Sequence, residues 1–176
     1  MAGIEVWNGD ICDLEVDAIV APAVGSLWMS TGLAGAIKRA GGDAIEFAAI
    51  RQGPVELGGA VVTPAGTLAA RAIIHAVSLD RDRRTSAQTL EAAVRGAMAR
   101  AREIGATSIA FPALGSGVGG FPLEEGARIT VMTVRDELSA SPTIAHVVFA
   151  LRGAAAYQAF SQALQEAHVA TGVAPE

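Results

Sequence analysis

Ser108–Pro122 reads SIAFPALGSGVGGFP, and this stretch decides the fold. Ser108–Pro112 (SIAFP) is a short apolar run of the kind that forms a buried strand. Leu114–Pro122 (LGSGVGGFP) is a loop with four glycines in the six positions Gly115–Gly120, and a helix follows from about Leu123 to Leu138. Backbone without Cβ atoms can turn its N–H groups toward one point and approach a phosphate closely. The helix behind adds the positive end of its dipole. Ligands gather at the carboxyl ends of strands in such units, so the loop is a candidate anion site as well as a tight turn. It is not a Walker loop, because no Gly-Lys-Ser/Thr follows, nor a dinucleotide GxGxxG near the chain start.

Outward from this unit, strands and helices alternate. Ile4–Trp7 reads as an opening strand and Ala18–Ala21 as a buried one, bounded by Asp17 and Pro22. Thr31–Ala40 is helical, with Leu33, Ala36, Ile37 and Ala40 on one face and Gly41-Gly42 as its stop. Asp43 is placed to cap a second short helix reaching about Gln52. Strands follow at Ala60–Thr63 and Ala72–Val77. Thr85 and Gln88 then form a capping box for a helix with Leu90, Ala93, Val94, Ala97, Met98, Ala101 and Ile104 on one stripe. Ala145–Leu151 is the last strand. Ala154–Val169 is the last helix, with Tyr157, Phe160, Ala163, Leu164 and Ala167 facing in. Trp7 is expected to fill space beside that helix. The alternation predicts one α/β domain with helices on both faces of a mostly parallel sheet.

Composition narrows the function. Hydrophobic residues make up 51% of the 176 and charged residues 18%, the opposite of a disordered balance. The net charge of −5, with no basic run, argues against a nucleic-acid grip. Arg81, Arg83 and Arg84, diluted by Asp80 and Asp82, read as a solvated loop, so phosphate binding is assigned to backbone amides. The lone Cys12 excludes a disulfide framework and reads as a buried thiol. His75, His146 and His168 are scattered over two strands and a helix, so no metal site is expected, and His75 reads as a core histidine. Without a signal-peptide pattern or a membrane-length apolar run, the expectation is a cytoplasmic protein with no membrane partner.

Two further segments carry chemistry. Gly9-Asp10-Ile11 follows the first strand. Asp10 there is either a turn carboxylate or an acceptor for an amino group such as that of adenine. Ala18–Ile37 (AIVAPAVGSLWMSTGLAGAI) is a strand, a loop and a helix whose opening is a second candidate anion site.

Taken together, these segments resemble the macro domain family. The resemblance runs from about Ile4 to Leu164. It rests on GDI (Gly9–Ile11), VDAIV (Val16–Val20), GLAGAIKRAGG (Gly32–Gly42), GGAVVTPAGTL (Gly58–Leu68), AIIHAV (Ala72–Val77) and SIAFPALGSGVGGFP (Ser108–Pro122), in that order. It implies a three-layer α/β/α sandwich on a mixed, roughly six-stranded sheet, and a cleft for ADP-ribose with no cofactor. It further implies that Asp10 holds the adenine amino group and that Ile11 contacts the base or the first phosphate. Gly32 and Leu33 would meet the diphosphate from one side. Ser116, Gly117, Val118, Gly119 and Gly120, followed by Phe121, would wrap it from the other. Leu151 and Arg152 lie where an aromatic often covers adenine, and Arg152 would stack by its guanidinium plane.

The departures matter as much. Many members of that family carry Asn-Ala-Ala-Asn where this chain has Ala21-Pro22-Ala23-Val24. The resemblance thus implies that Val24 takes the place of an asparagine that orients the distal ribose and, in hydrolytic members, helps catalysis. The usual triple glycine is Ser30-Thr31-Gly32, and the loop carries the bulky Leu27, Trp28 and Met29. Hydrolysis needs a group to activate water. No carboxylate lies between Asp17 and Asp43, and Lys38 reads as a solvated helix lysine. Three functions therefore compete. The leading one binds ADP-ribose or a related nucleotide, free or on a protein, with little or no catalysis. The second hydrolyses ADP-ribosyl or O-acetyl-ADP-ribose bonds, with Asp80 and Asp82 as the remaining nearby acids. The third is a repurposed pocket, with Leu27, Trp28 and Met29 filling the ribose space or forming a partner surface.

Overall fold

A computed structural model of the chain describes residues 2–117 and 119–170. Six strands among them form one mixed sheet in the order β1-β6-β5-β2-β4-β3. They are β1 (Gly3–Asn8), β2 (Ala18–Val24), β3 (Ala60–Pro64), β4 (Ala72–Leu79), β5 (Ser108–Phe111) and β6 (His146–Leu151). The helices are α1 (Gly32–Gly41), α2 (Ala44–Ile50), α3 (Ala87–Glu103), α4 (Leu123–Ala140) and α5 (Ala154–Ala170). Only β3 runs antiparallel, against β4 at one edge. The other pairs are parallel.

Successive strand residues face opposite sides, and both sides here are apolar. Val20, Ile74, Ile109, Phe111, Val147 and Phe149 pack on one face with Leu90 and Met98 of α3, Val131 and Val134 of α4, and Phe160 of α5. Ile19, Ala21, Ile73, Ala110 and Val148 pack on the other with Ile37 of α1 and Ile45 of α2. The result is the expected three-layer α/β/α sandwich. Phe149 joins the layers on the first face, its ring 6.3 Å from Phe111 and 5.3 Å from Phe160. Trp7 packs with the second group, away from α5, contrary to expectation.

Several local details differ from the sequence reading, each for a physical reason. The α3 cap is Ser86, one residue past the expected Thr85. Ser86 has the extended backbone a cap needs, and its hydroxyl accepts the Thr89 amide. Asp43 is itself in helical conformation and makes no cap bond. Ile104 and Tyr157 are exposed: α3 ends at Glu103, so Ile104 is its cap and not part of the stripe, and Tyr157 lies off the α5 stripe of Phe160, Ala163 and Ala167. Pro22 does not end β2, which runs on to Val24. β5 pairs with β2 only at Ala18 and Ile19, so the second half of β2 has one open side, where a proline deprives no neighbour of a donor. Asp17 closes the other end of this pair. Its carboxylate accepts from the Thr107 amide (2.8 Å) and hydroxyl (3.0 Å), which hold its carboxyl below the usual range.

Candidate functional site

β2 and β5 lie side by side at their amino ends, but their pairing stops at Ile19 and β2 continues alone. The chain leaving β2 crosses to α1 on one face, and the chain leaving β5 crosses to α4 on the other. Where connections part in this way, an open α/β sheet leaves a crevice outside the carboxyl ends of its strands. A hollow of about 190 Å³ occupies that place. It is floored by Pro22 and Val24 of β2 and by Pro112 and Ala113 after β5.

One wall is the opening of α1. Gly32, Leu33 and Ala34 line the hollow. The first intrahelical amide bond is Gly35 N–H to the Thr31 carbonyl (3.1 Å), and Thr31 makes no side-chain cap. The amides ahead of it are therefore the orphan donors of a helix terminus. The other wall is the glycine loop, through Gly115, Gly117 and Gly119. The loop is closed by the Phe121 amide on the Gly115 carbonyl (2.8 Å) and the Gly120 amide on the Gly117 carbonyl (3.2 Å). A Cβ on Gly119 would sit 2.8 Å from the Gly115 oxygen, so that glycine is demanded by the loop's own closure. A Cβ on Gly117 would meet nothing within 4 Å. The fold does not require that glycine, and it leaves bare backbone toward the crevice. Gly117 and Gly119 donate their amides to no acceptor among the described residues.

The third boundary is Arg83, in the loop after β4. Asp80 Oδ1 accepts the amides of Asp82 and Arg84, both at 2.9 Å, and the Asp80 amide donates to the Arg84 carbonyl. Arg83 is held at φ 60°, a left-handed conformation uncommon for a residue with a side chain. Its guanidinium lines the hollow and donates to Ser30 Oγ (3.1 Å) and to Thr31 Oγ1. The Thr31 hydroxyl thus faces Arg83, and Thr31 makes no side-chain cap to α1. The arginine run thus reads only partly as a solvated loop. Arg81 and Arg84 are exposed, while Arg83 turns inward.

The bulky trio divides. Leu27 and Met29 are buried in the core behind the loop. Trp28 is 57% exposed and lines both the hollow and a second one of about 720 Å³ beyond it. Val24, Leu79 and Arg83 are shared between the two as well. Lys38 is half-buried and not the freely solvated lysine expected. It pairs with Glu46 at 3.2 Å, and Glu46 is buried and also accepts the Met29 amide at 2.7 Å. Asp80 faces the second hollow with its carboxylate already engaged, and Asp82 is exposed.

Of the residues expected at the site, Val24, Gly32, Leu33, Gly117 and Gly119 line the first hollow. Ser116 turns its hydroxyl onto the Ala113 carbonyl, and the amides of Gly120 and Phe121 are consumed in closing the loop. Val118 lies outside the described residues. α4 opens with Glu124 and Glu125 in its first turn, which offset the dipole expected to help there. Asp10, Ile11, Leu151 and Arg152 form a separate group at the carboxyl ends of β1 and β6, adjacent strands joined here by the Gly9 amide on the Leu151 carbonyl. Asp10 caps a short 3-10 turn, Ile11–Asp13, accepting the Cys12 amide at 2.9 Å, and its other oxygen lies 3.7 Å from Arg152. Ile11 and Leu151 are buried. Cys12 is half-buried, and burial beside Asp10 pushes its thiol up to about 11. Sequence reasoning missed Arg83 and Glu46, since neither a left-handed loop residue nor a helix-to-loop carboxylate leaves a spacing signal.

His75 is buried with Nε2 2.8 Å from Thr63 Oγ1, and burial lowers its pKa to about 4. Among the described residues no three His, Cys, Asp or Glu side chains gather as metal ligands. No described helix is long and apolar enough to cross a membrane.

The model of the Macro domain family matches residues 20–130. An uncharacterized protein of Mycobacterium tuberculosis is 41% identical over 94% of this chain, which spans only 45% of that protein's length. A Salmonella typhimurium protein named O-acetyl-ADP-ribose deacetylase is 42% identical over 76% of this chain and 78% of its own. Among solved structures, a mutant of the Oceanobacillus iheyensis macrodomain with ADPR superposes with a TM-score of 0.86 at 26% identity, covering 93% of this chain and 92% of the other.

Proposed function

This chain belongs to the macro domain family, and on that footing we propose that its crevice binds ADP-ribose or a closely related nucleotide, free or attached to a protein, with little or no hydrolysis. One observation carries the proposal. Two walls of backbone amides with no protein acceptor among the described residues line a hollow whose described lining holds no carboxylate, imidazole or thiol. Such a site suits an uncharged-backbone cradle for a diphosphate and lacks a side chain to activate water.

In this proposal the diphosphate lies between Gly32–Leu33 and the glycines Gly115, Gly117 and Gly119 of the loop after β5. The distal ribose lies over Val24. The adenine points along the sheet edge to Asp10, Ile11, Leu151 and Arg152. The strand order β1-β6-β5-β2-β4 supports this layout, because it sets those groups in one row. The macrodomain structure with ADPR, at similar size and fold, supports the ligand class.

Calorimetric titration with ADP-ribose, ADP and AMP tests it. Micromolar ADP-ribose binding is expected, and no binding would overturn the proposal. The deacetylase relative favours hydrolysis as a second reading. Release of acetate from O-acetyl-ADP-ribose at a rate well above the uncatalysed one would replace the first reading with the second.

A further inference from the structure

Arg83 is the one ionisable side chain among the described residues that line the crevice. Three features set it apart from a surface arginine. Its loop is locked by Asp80 so that Arg83 alone takes a left-handed backbone and turns inward. Its hydrogen-bond partners are two neutral hydroxyls, Ser30 and Thr31, and no carboxylate lies within ion-pair distance of it among the described residues. One of those hydroxyls belongs to the residue that opens α1, so the guanidinium and the orphan amides of the first turn converge on one spot. A cation held at the edge of a crevice without a counter-ion is matched by an anionic ligand.

We infer that Arg83 is a specificity-determining residue that reads the second phosphate of a nucleoside diphosphate seated at the opening of α1. The inference rests on the nucleotide function proposed above and adds to it a side-chain charge where backbone amides alone were expected. In the free protein the guanidinium bridges the loops after β2 and β4 through Ser30 and Thr31. In the loaded protein it keeps that position and donates to the phosphate oxygens as a fork. Arg83 lies at the β4 side of the crevice, away from Asp10, so its contribution belongs to the diphosphate end of the ligand and not to the base.

The test titrates the wild type, Arg83→Gln and Arg83→Lys with ADP-ribose, ADP, AMP and inorganic pyrophosphate at low and high salt. Arg83→Gln is expected to weaken ADP-ribose, ADP and pyrophosphate at least roughly ten-fold, as for a lost charged hydrogen bond, and to leave AMP unchanged. The wild-type affinity for ADP falls with salt, and that slope flattens in Arg83→Gln, because only a charge interaction is screened. Arg83→Lys recovers the salt slope and part of the affinity. A bracing role would give the opposite pattern, with AMP weakened alongside ADP and the slope unmoved, and would overturn the inference. Unchanged ADP-ribose binding in Arg83→Gln overturns the role of Arg83 while the nucleotide function stands. Pyrophosphate bound through Arg83 without any ADP-ribose binding supports the anion role and overturns the nucleotide function. If the wild type binds none of the four ligands, both fall.

Discussion

Two places along the same carboxyl edge of the sheet are built in opposite ways. At the ends of β1 and β6, Asp10 is already spent on the Cys12 amide and stands beside Arg152, while Ile11 and Leu151 are packed away. At the ends of β2 and β5, a helix opens without a side-chain cap, and among the described residues a loop holds amides with no acceptor and an arginine pairs only with hydroxyls. Thr31, Gly32 and Gly117 are exposed, so their free donors face water and stand open to an incoming anion, whereas the β1–β6 end has its polar groups already engaged. On the function proposed above, that difference assigns most of the binding energy to the crevice and discrimination to the β1–β6 end, which would exchange contacts it already makes.

The largest effect that would break this comparison comes from Gly117. Gly117→Val adds a side chain into space that no protein atom occupies, so stability should hold within about 0.5 kcal/mol, as for a neutral surface change. The same side chain covers the bare backbone facing the crevice, and ADP-ribose binding should fall below calorimetric detection. Thermal melting beside titration checks both halves. A variant that melts and binds like the wild type would show that the glycine loop is a turn and nothing more.

How far the sequence carried this picture differs between the two regions. The layer architecture and the mixed sheet were legible because burial writes itself as periodicity. Ile109–Phe111 and Val147–Leu151 are continuous apolar runs, and the α3 stripe from Leu90 to Ala101 recurs at helical spacing. Caps were less legible, since Thr85 and Ser86 are chemically alike and only backbone conformation chooses between them. In the crevice the glycines could be read, but not which of them the fold needs and which it spares. Arg83 was illegible for a definite reason. Its inward turn depends on Asp80 closing a five-residue loop, and in the string DRDRR every arginine looks equally solvated. Leu27 and Met29 misled in the same way, because a bulky loop residue can point into the core as well as into a pocket.

Acid should sharpen the comparison, because buried His75 titrates with the fold, while the described lining of the crevice holds no carboxylate, imidazole or thiol. His75 is neutral in the folded state with its pKa lowered to about 4 by burial, against an ordinary 6.5 when unfolded. Between those values the unfolded chain binds the extra proton. Stability is therefore full above pH 6.5 and declines by roughly 1.4 kcal/mol for each unit the pH falls toward 4. His75→Gln, which keeps a polar partner for Thr63, should flatten that decline in urea titrations. ADP-ribose affinity of the folded protein should stay level from pH 8 to pH 6, since the described lining of the crevice holds no carboxylate, imidazole or thiol and the internal diphosphate of this ligand does not titrate there. An affinity that dropped over that range would mean that a titrating group outside the described lining takes part in binding.

The smallest effect belongs to the β1–β6 end. Asp10→Ala removes a cap from a three-residue turn, at a cost of about 1 kcal/mol in stability. Its pair with the largely exposed Arg152, at 3.7 Å, adds little to that. For binding, the carboxylate can offer adenine only what it gains over its present partners, so ADP-ribose should weaken by roughly ten-fold at most. Ribose 5-phosphate, which has no base, should bind the variant as it binds the wild type. Arg152→Ala then divides the region further. If the guanidinium covers the base, ADP-ribose loses affinity a second time and ribose 5-phosphate again does not. If Arg152 only neighbours Asp10, removing it frees a carboxylate oxygen and ADP-ribose binding holds or tightens. Equal losses of both ligands in Asp10→Ala would remove the adenine role and leave Asp10 as the cap that its bond to Cys12 already makes it.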